Sequence, residues 1–148
     1  MDRPQLYWED IEVGMAVPPL EKYVTRMQLV KYAGAEEDWH PFHVDEEYAR
    51  KFGLPHVVHH GLLDCGLLCQ LMTDWIGLRG KLKKLRSEYR RPNFPNEMHT
   101  CKGRVTRKYV QDGDHLVDCE IWIEKGDGTV STPGTATVGL PSREVPRA

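Results

Sequence analysis

Residues 56–77, "HVVHHGLLDCGLLCQLMTDWIG", constrain the fold more than any other stretch of this chain. Leu62, Leu63, Leu67, Leu68, Leu71, Met72 and Trp75 leave a helix here with almost no polar face, so it belongs inside the protein. It needs a cover, and the second half of the chain supplies one. From residue 81 onward the hydrophobic period shortens to two. In "HLVDCEIWIEKGDG", Val117, Cys119, Ile121 and Ile123 alternate with Asp118, Glu120, Trp122 and Glu124, the pattern of a strand with one wet face. The glycine-bearing turns "QDGDH" and "KGDGT" join three such runs, roughly residues 98–110, 115–125 and 129–140, into an antiparallel meander. Pro133 lacks the N–H a ladder needs and marks an edge or a bulge. Helices first and strands second give an α+β class, with a sheet curled around one long central helix. The 148 residues fit one domain spanning 1–148.

Upstream of that helix, Thr25 can cap a short helix running through "MQLVKYA" to Gly34. Asp45 can cap a second, "EEYARKF", which Gly53 ends. Between them lies a polar loop. Lys and Arg total 20 against 22 Asp and Glu, a formal charge of -2, so no global field recruits nucleic acid or an anionic membrane. "MDRPQLYWEDIEVG" has no basic segment followed by an apolar run, and the expected setting is soluble and cytoplasmic. Cys65, Cys69, Cys101 and Cys119 form no CxxC pair and are expected to be reduced, mostly core, thiols.

The polar loop carries the chemistry-bearing residues. "EEDWHPFHVDEEYARKFG" sets Asp38 and His43 on either side of a proline with His40 between them. Taken by residue type alone, this is a capped turn in which Asp38 bonds loop amides and His43 is a satisfied, half-buried ring. An acid–base pair is the sharper alternative, which residue type alone does not favour. His40, His43, His56, His59 and His60 fall within one short segment but show no recognised ligand spacing, so no metal is expected. Asp64, in the first turn of the apolar helix, is accounted for by the helix dipole, with a polar group facing substrate as the sharper reading. The basic run "KLKKLRSEYRR" reads as a solvated strand face. Given a phosphate-bearing ligand, Lys83, Lys84, Arg90 or Arg91 could meet it.

Four segments together resemble a known family. They are "WEDIEVGM" as an opening strand, "EDWHPFHVDEEYA" for a Gly-Asp-x-Asn-Pro-x-His-x-Asp pattern, "HHGLL" for a His-Gly helix start, and "YRRPNFPNE" for a strand ending in Pro-Gly-Asp. In order and spacing the chain resembles the MaoC-like (R)-specific enoyl-CoA hydratases, whose hot-dog fold wraps a curved sheet around one long helix. The apolar helix is also similar to that of MaoC-like proteins of steroid side-chain breakdown. The departures are Glu37 for the pattern's glycine, His40 for its asparagine, Asn96-Glu97 for its Gly-Asp, and Gly66 where some members carry serine.

The resemblance implies that Asp38 and His43 activate a water that adds across the double bond of a coenzyme A thioester, or run the reverse reaction. The amide of Gly61, unpaired at a helix start and favoured by the dipole, suits the thioester oxygen. By the same resemblance His60 closes off the helix start, His40 contacts the pair from the asparagine position, and Gly66 widens the acyl pocket. No cofactor is implied, because coenzyme A is part of the substrate. The implied partners are an acyl-CoA thioester and a second copy, in a homodimer or dimer of dimers with sites at the interface. Two rivals remain: a hot-dog acyl-CoA thioesterase, and a non-catalytic acyl-CoA-binding subunit of a hetero-oligomeric hydratase.

Overall fold

The computed structural model describes residues 5–144. After a 3-10 turn at Trp8–Asp10, the elements run β1 (Ala16–Tyr23), α1 (Arg26–Glu36), α2 (Pro41–Val44), α3 (Glu46–Lys51), α4 (Gly61–Ile76), β2 (Lys81–Ser87), β3 (Met98–Gln111), β4 (Asp114–Lys125) and β5 (Val130–Gly139). One five-stranded antiparallel sheet has the order β1-β3-β4-β5-β2. α4 touches all five strands. This is the α+β hot-dog fold, and the β3-β4-β5 meander lies where the alternating pattern placed it.

The core is the seam between α4 and the sheet. Leu67, Leu68, Leu71, Met72 and Ile76 meet Cys101, Val105, Val117, Cys119, Ile121, Ile123, Ala136 and Val138 in one buried cluster. Each large aliphatic side chain so buried contributes roughly 1.5–3 kcal/mol. The helix is not covered all round, however: Leu62 is 58% exposed and Gly66 and Thr73 also face outward. All four cysteines are free, and burial pushes the thiols of Cys101 and Cys119 up to about 12, so these two stay protonated and unreactive. No described helix is long and apolar enough to cross a membrane.

Local structure departs from the sequence reading at four places. "WEDIEVGM" does not open as a strand. The Asp10 carboxylate accepts the Tyr7 N–H at 3.0 Å and pairs with Arg143 at 2.8 Å, holding a turn, and β1 begins only after Gly14. Gly34 does not end α1, whose Thr25 cap is in place with Gln28 as the reciprocal partner. The helix runs on to Glu36, and a Cβ at Gly34 would sit 3.5 Å from the Trp39 ring. The polar loop contains a helical turn of its own, α2, with Pro41 at its first position. Pro133 is not on an edge, since β5 lies between β4 and β2. Its carbonyl accepts the Glu88 N–H at 2.8 Å, and in a strand a residue's nitrogen faces the same neighbour as its oxygen, so the missing N–H falls beyond the end of β2. A register shift does lie close by, between Ile123 and Glu124.

Two departures from the glycine pattern acquire a cause. Glu37 and Asn96, standing where the pattern has glycine, both adopt φ 62°, the left-handed region where a Cβ is strained. Glu37 is exposed and ends α1 there. Glu37→Gly is therefore expected to raise stability by an amount on the order of 1 kcal/mol in urea denaturation. A loss of stability would show that the left-handed turn is not what selects glycine.

Candidate active site

Asp38 and His43 are brought together by the turn that leads into α2. One Asp38 oxygen, Oδ1, accepts the backbone N–H of His40 at 3.2 Å, fixing the carboxylate beside the proline. His43 Nδ1 lies 2.9 Å from the Val58 carbonyl oxygen. A carbonyl only accepts, so Nδ1 carries the proton and Nε2 presents a bare lone pair. That lone pair faces Asp38 Oδ2 at 3.8 Å. Two acceptors do not bond each other, and this spacing leaves both free to receive the two hydrogens of a single water. Burial pushes the His43 pKa down; the Val58 carbonyl and Asp38 pull it back up, and His60 and His40 add to the depression. The ring is thus neutral at neutral pH and able to take a proton.

His60 stands directly behind the pair. Its ring is 1% exposed and stacks on His43 at 3.9 Å with 21° between the planes. Its Nε2 donates to the Asp38 carbonyl at 3.1 Å, leaving Nδ1 buried without a partner. His40 is exposed, and its side chain caps α2 by accepting the Phe42 N–H at 3.3 Å. It therefore meets the pair through its backbone, its ring lying 6.2 Å from that of His43. Asp38, His43 and His60 each offer a ligand atom within 4.8 Å of the others. Near-parallel stacked rings aim their lone pairs side by side rather than at one point, and Nε2 of His60 already donates to a carbonyl. This arrangement does not suit a shared ion.

α4 begins at the next residue. No side chain caps it, so its first amides, including that of Gly61, remain available to an oxygen. A Cβ at Gly61 would come within 3.0–3.2 Å of the Tyr89 ring, so any larger residue would push the ring back from this terminus. One turn further on, Gly66 faces open space, with nothing within 4 Å of where its Cβ would be. Of the basic residues, Arg90 and Arg91 share a cleft with Gly61, Asp64, Tyr89 and Asn93. Arg90 pairs with Glu88 at 2.8 Å, and Lys83 is held by Asp114 at 2.7 Å.

Comparison with known proteins identifies the family. The profile described as "MaoC like domain" matches residues 11–124. The chain belongs to the MaoC-like dehydratase family. It is 30% identical over 132 residues to a 3-oxo-4,17-pregnadiene-20-carboxyl-CoA hydratase beta subunit from Mycobacterium tuberculosis, covering 89% of this chain and 97% of that protein. It is also 30% identical over 143 residues to an (R)-specific enoyl-CoA hydratase from Rhodospirillum rubrum, covering 93% of each. Among solved structures, the (R)-hydratase from A. caviae involved in PHA biosynthesis shares the fold, with a TM-score of 0.80 at 22% identity over 90% of this chain and 99% of that one.

In this MaoC-like chain the start of α4 rests on a buried polar cluster that reading by residue type does not reveal. Asp64 is only 4% exposed; its carboxylate accepts from His59 Nδ1 at 2.8 Å and from Asn93 Nδ2 at 2.9 Å. The helix dipole alone does not account for it: Asp64 ties the approach to α4 to the segment before β3. The cleft beside Gly61 keeps open its other reading, as a polar group facing a ligand. The only hints in the sequence are polar residues where apolar ones are expected. The His99 ring lies against that of His59 at 4.9 Å and is fully buried.

Burial, the neighbouring His59 and Lys125 hold His99 at about 4, against 6.5 for an ordinary imidazole, with Asp64 and a backbone hydrogen bond at Glu97 opposing. Below 6.5 the unfolded chain takes up a proton that the folded one refuses. Stability is therefore complete above pH 6.5 and falls as pH drops towards 4, by about 3 kcal/mol in all. Denaturant unfolding across that window should show this slope, and His99→Phe should flatten it.

Proposed function

We propose that this chain is an acyl-CoA hydratase/dehydratase, adding water across the 2,3 double bond of an enoyl-CoA thioester or removing it from the 3-hydroxyacyl-CoA. The observation that carries the reading is the pair of acceptors, Asp38 Oδ2 and His43 Nε2, 3.8 Å apart and adjoining an uncapped helix N-terminus. A water donating to both is oriented and made nucleophilic. As its oxygen bonds to carbon 3, the pair takes one of its protons, and a proton passes from the pair to carbon 2, so hydroxyl and hydrogen together balance one water. The negative charge that develops on the thioester oxygen in between is met by the Gly61 N–H and the dipole of α4. His43 is neutral and basic at the outset, as this role requires. No metal or redox cofactor enters the scheme.

The hydratase names of the two curated relatives support a coenzyme A ester as substrate. The open space at Gly66, on the uncovered face of α4 one turn from the site, supports an acyl group larger than a short linear chain. A second copy of the chain is the proposed cover for that face, in a homodimer or dimer of dimers. Pro18 and Pro19 blunt the β1 edge, leaving β2 as the edge free to pair.

Loss of enone absorbance, followed separately from thiol release, tests the reading on crotonyl-CoA and on longer and branched enoyl-CoAs. Enone loss without thiol release is expected. Thiol release alone would mean thioesterase, and neither signal across the panel would mean a binding subunit. Strict preference for crotonyl-CoA would remove the role given to Gly66. Asp38→Asn and His43→Gln are each expected to lower kcat by roughly 10²-fold or more while melting close to the parent. The double variant should lose little beyond the worse single, since the two act on one water. Wild-type kcat in either single variant would take that residue out of the mechanism. Sedimentation should show a dimer or larger; a fully active monomer would contradict the proposed assembly.

A further inference from the structure

His60 contacts both members of the pair through different parts of its ring. The Nε2–H is spent on the Asp38 carbonyl at 3.1 Å, and the face of the ring lies on His43 at 3.9 Å. Such placement has a cost: Nδ1 is left buried without a partner, although a ring at the start of α4 is well placed to cap it. On its other side the ring meets Tyr32 of α1 at 5.0 Å, so it is wedged between elements and cannot swing to satisfy that atom.

The geometry points to His60 as the positioning residue that sets the separation of Asp38 and His43 and keeps His43 dry. The deduction rests on the hydratase reading for its catalytic meaning, but not for its physics. The hydrogen bond fixes the height of the Asp38 backbone relative to α4, and the Val58 carbonyl fixes the far side of the His43 ring. Between these two anchors the 3.8 Å gap is determined. The stacked ring also closes one face of His43 to solvent, leaving its side chain 14% exposed while that of Asp38 is 46% exposed. The charged and titratable groups around His43 are Asp38 and His40 on the preceding turn and His60 from α4; Tyr32 faces His60 from behind.

Two substitutions separate the two jobs. Glutamine places an amide nitrogen close to where the imidazole has Nε2, so His60→Gln keeps the bond to Asp38 and loses the stacked ring. Phenylalanine does the reverse. The test compares full-length wild type, His60→Gln and His60→Phe by melting temperature, by kcat and KM for crotonyl-CoA against pH, and by NMR titration of His43. For His60→Gln, the acid limb of the rate profile and the His43 titration should both move to higher pH as water reaches the ring, with kcat at pH 8 within about twofold of wild type. For His60→Phe, the His43 titration should rise only by what the lost His60 charge contributed, less than in His60→Gln, while kcat falls by roughly tenfold, with KM little changed, because the gap is no longer set. Equal losses in both variants that merely follow melting temperature, with His43 titrating as in wild type, would overturn the proposal. A wild type that hydrates nothing would sink the hydratase reading instead, and the NMR titrations would still decide the role of His60.

Discussion

The burial of one apolar helix in the hollow of an antiparallel sheet is the constraint from which the rest follows. α4 has too few polar side chains to lie on a surface, so the sheet must curl until all five strands touch it. Once the helix is enclosed, the position of its N-terminus is fixed by packing rather than by a cap, and its first amides are left free. An uncapped helix start inside a protein is normally a liability. Here it becomes the one rigid, electropositive point against which the Asp38–His43 turn is arranged.

That arrangement is stabilised by buried polar groups rather than by more apolar packing. His60 anchors the Asp38 turn, while Asp64 clamps His59 and Asn93 beneath the helix start. His60, His59 and Asn93 each carry one buried atom without a partner along with their bonds. Such groups weaken a fold when taken alone. Their concentration around the start of α4 is the distribution expected where a site is held in shape at the expense of stability.

What could be read in the sequence had short-range causes. Alternation in "HLVDCEIWIEKGDG", the Thr25 and Asp45 caps and the glycine turns each depend on neighbours a few residues away, and all are present in the structure. What could not be read depended on distant partners. The turn at Trp8–Asp10 is held by Arg143 at the opposite end of the chain, and Asp64 finds Asn93 only because α4 and the approach to β3 meet in space. By residue type "DWHPFH" favours a capped turn over a reactive pair, and the cap is present. Oδ1 of Asp38 caps the turn while Oδ2 faces His43, the geometry on which the proposed pair rests. Only the family pattern directed attention to the second oxygen.

The central claim is that Asp38 and His43 hold one water for addition to carbon 3 of an enoyl thioester. Following the oxygen of that water tests it most directly. Crotonyl-CoA incubated with the assembled protein in water labelled with heavy oxygen should yield 3-hydroxybutyryl-CoA bearing the label on the hydroxyl, with the thioester intact and no free thiol. Label in a released carboxylate, accompanied by free coenzyme A, would place the water at the carbonyl instead and contradict the account.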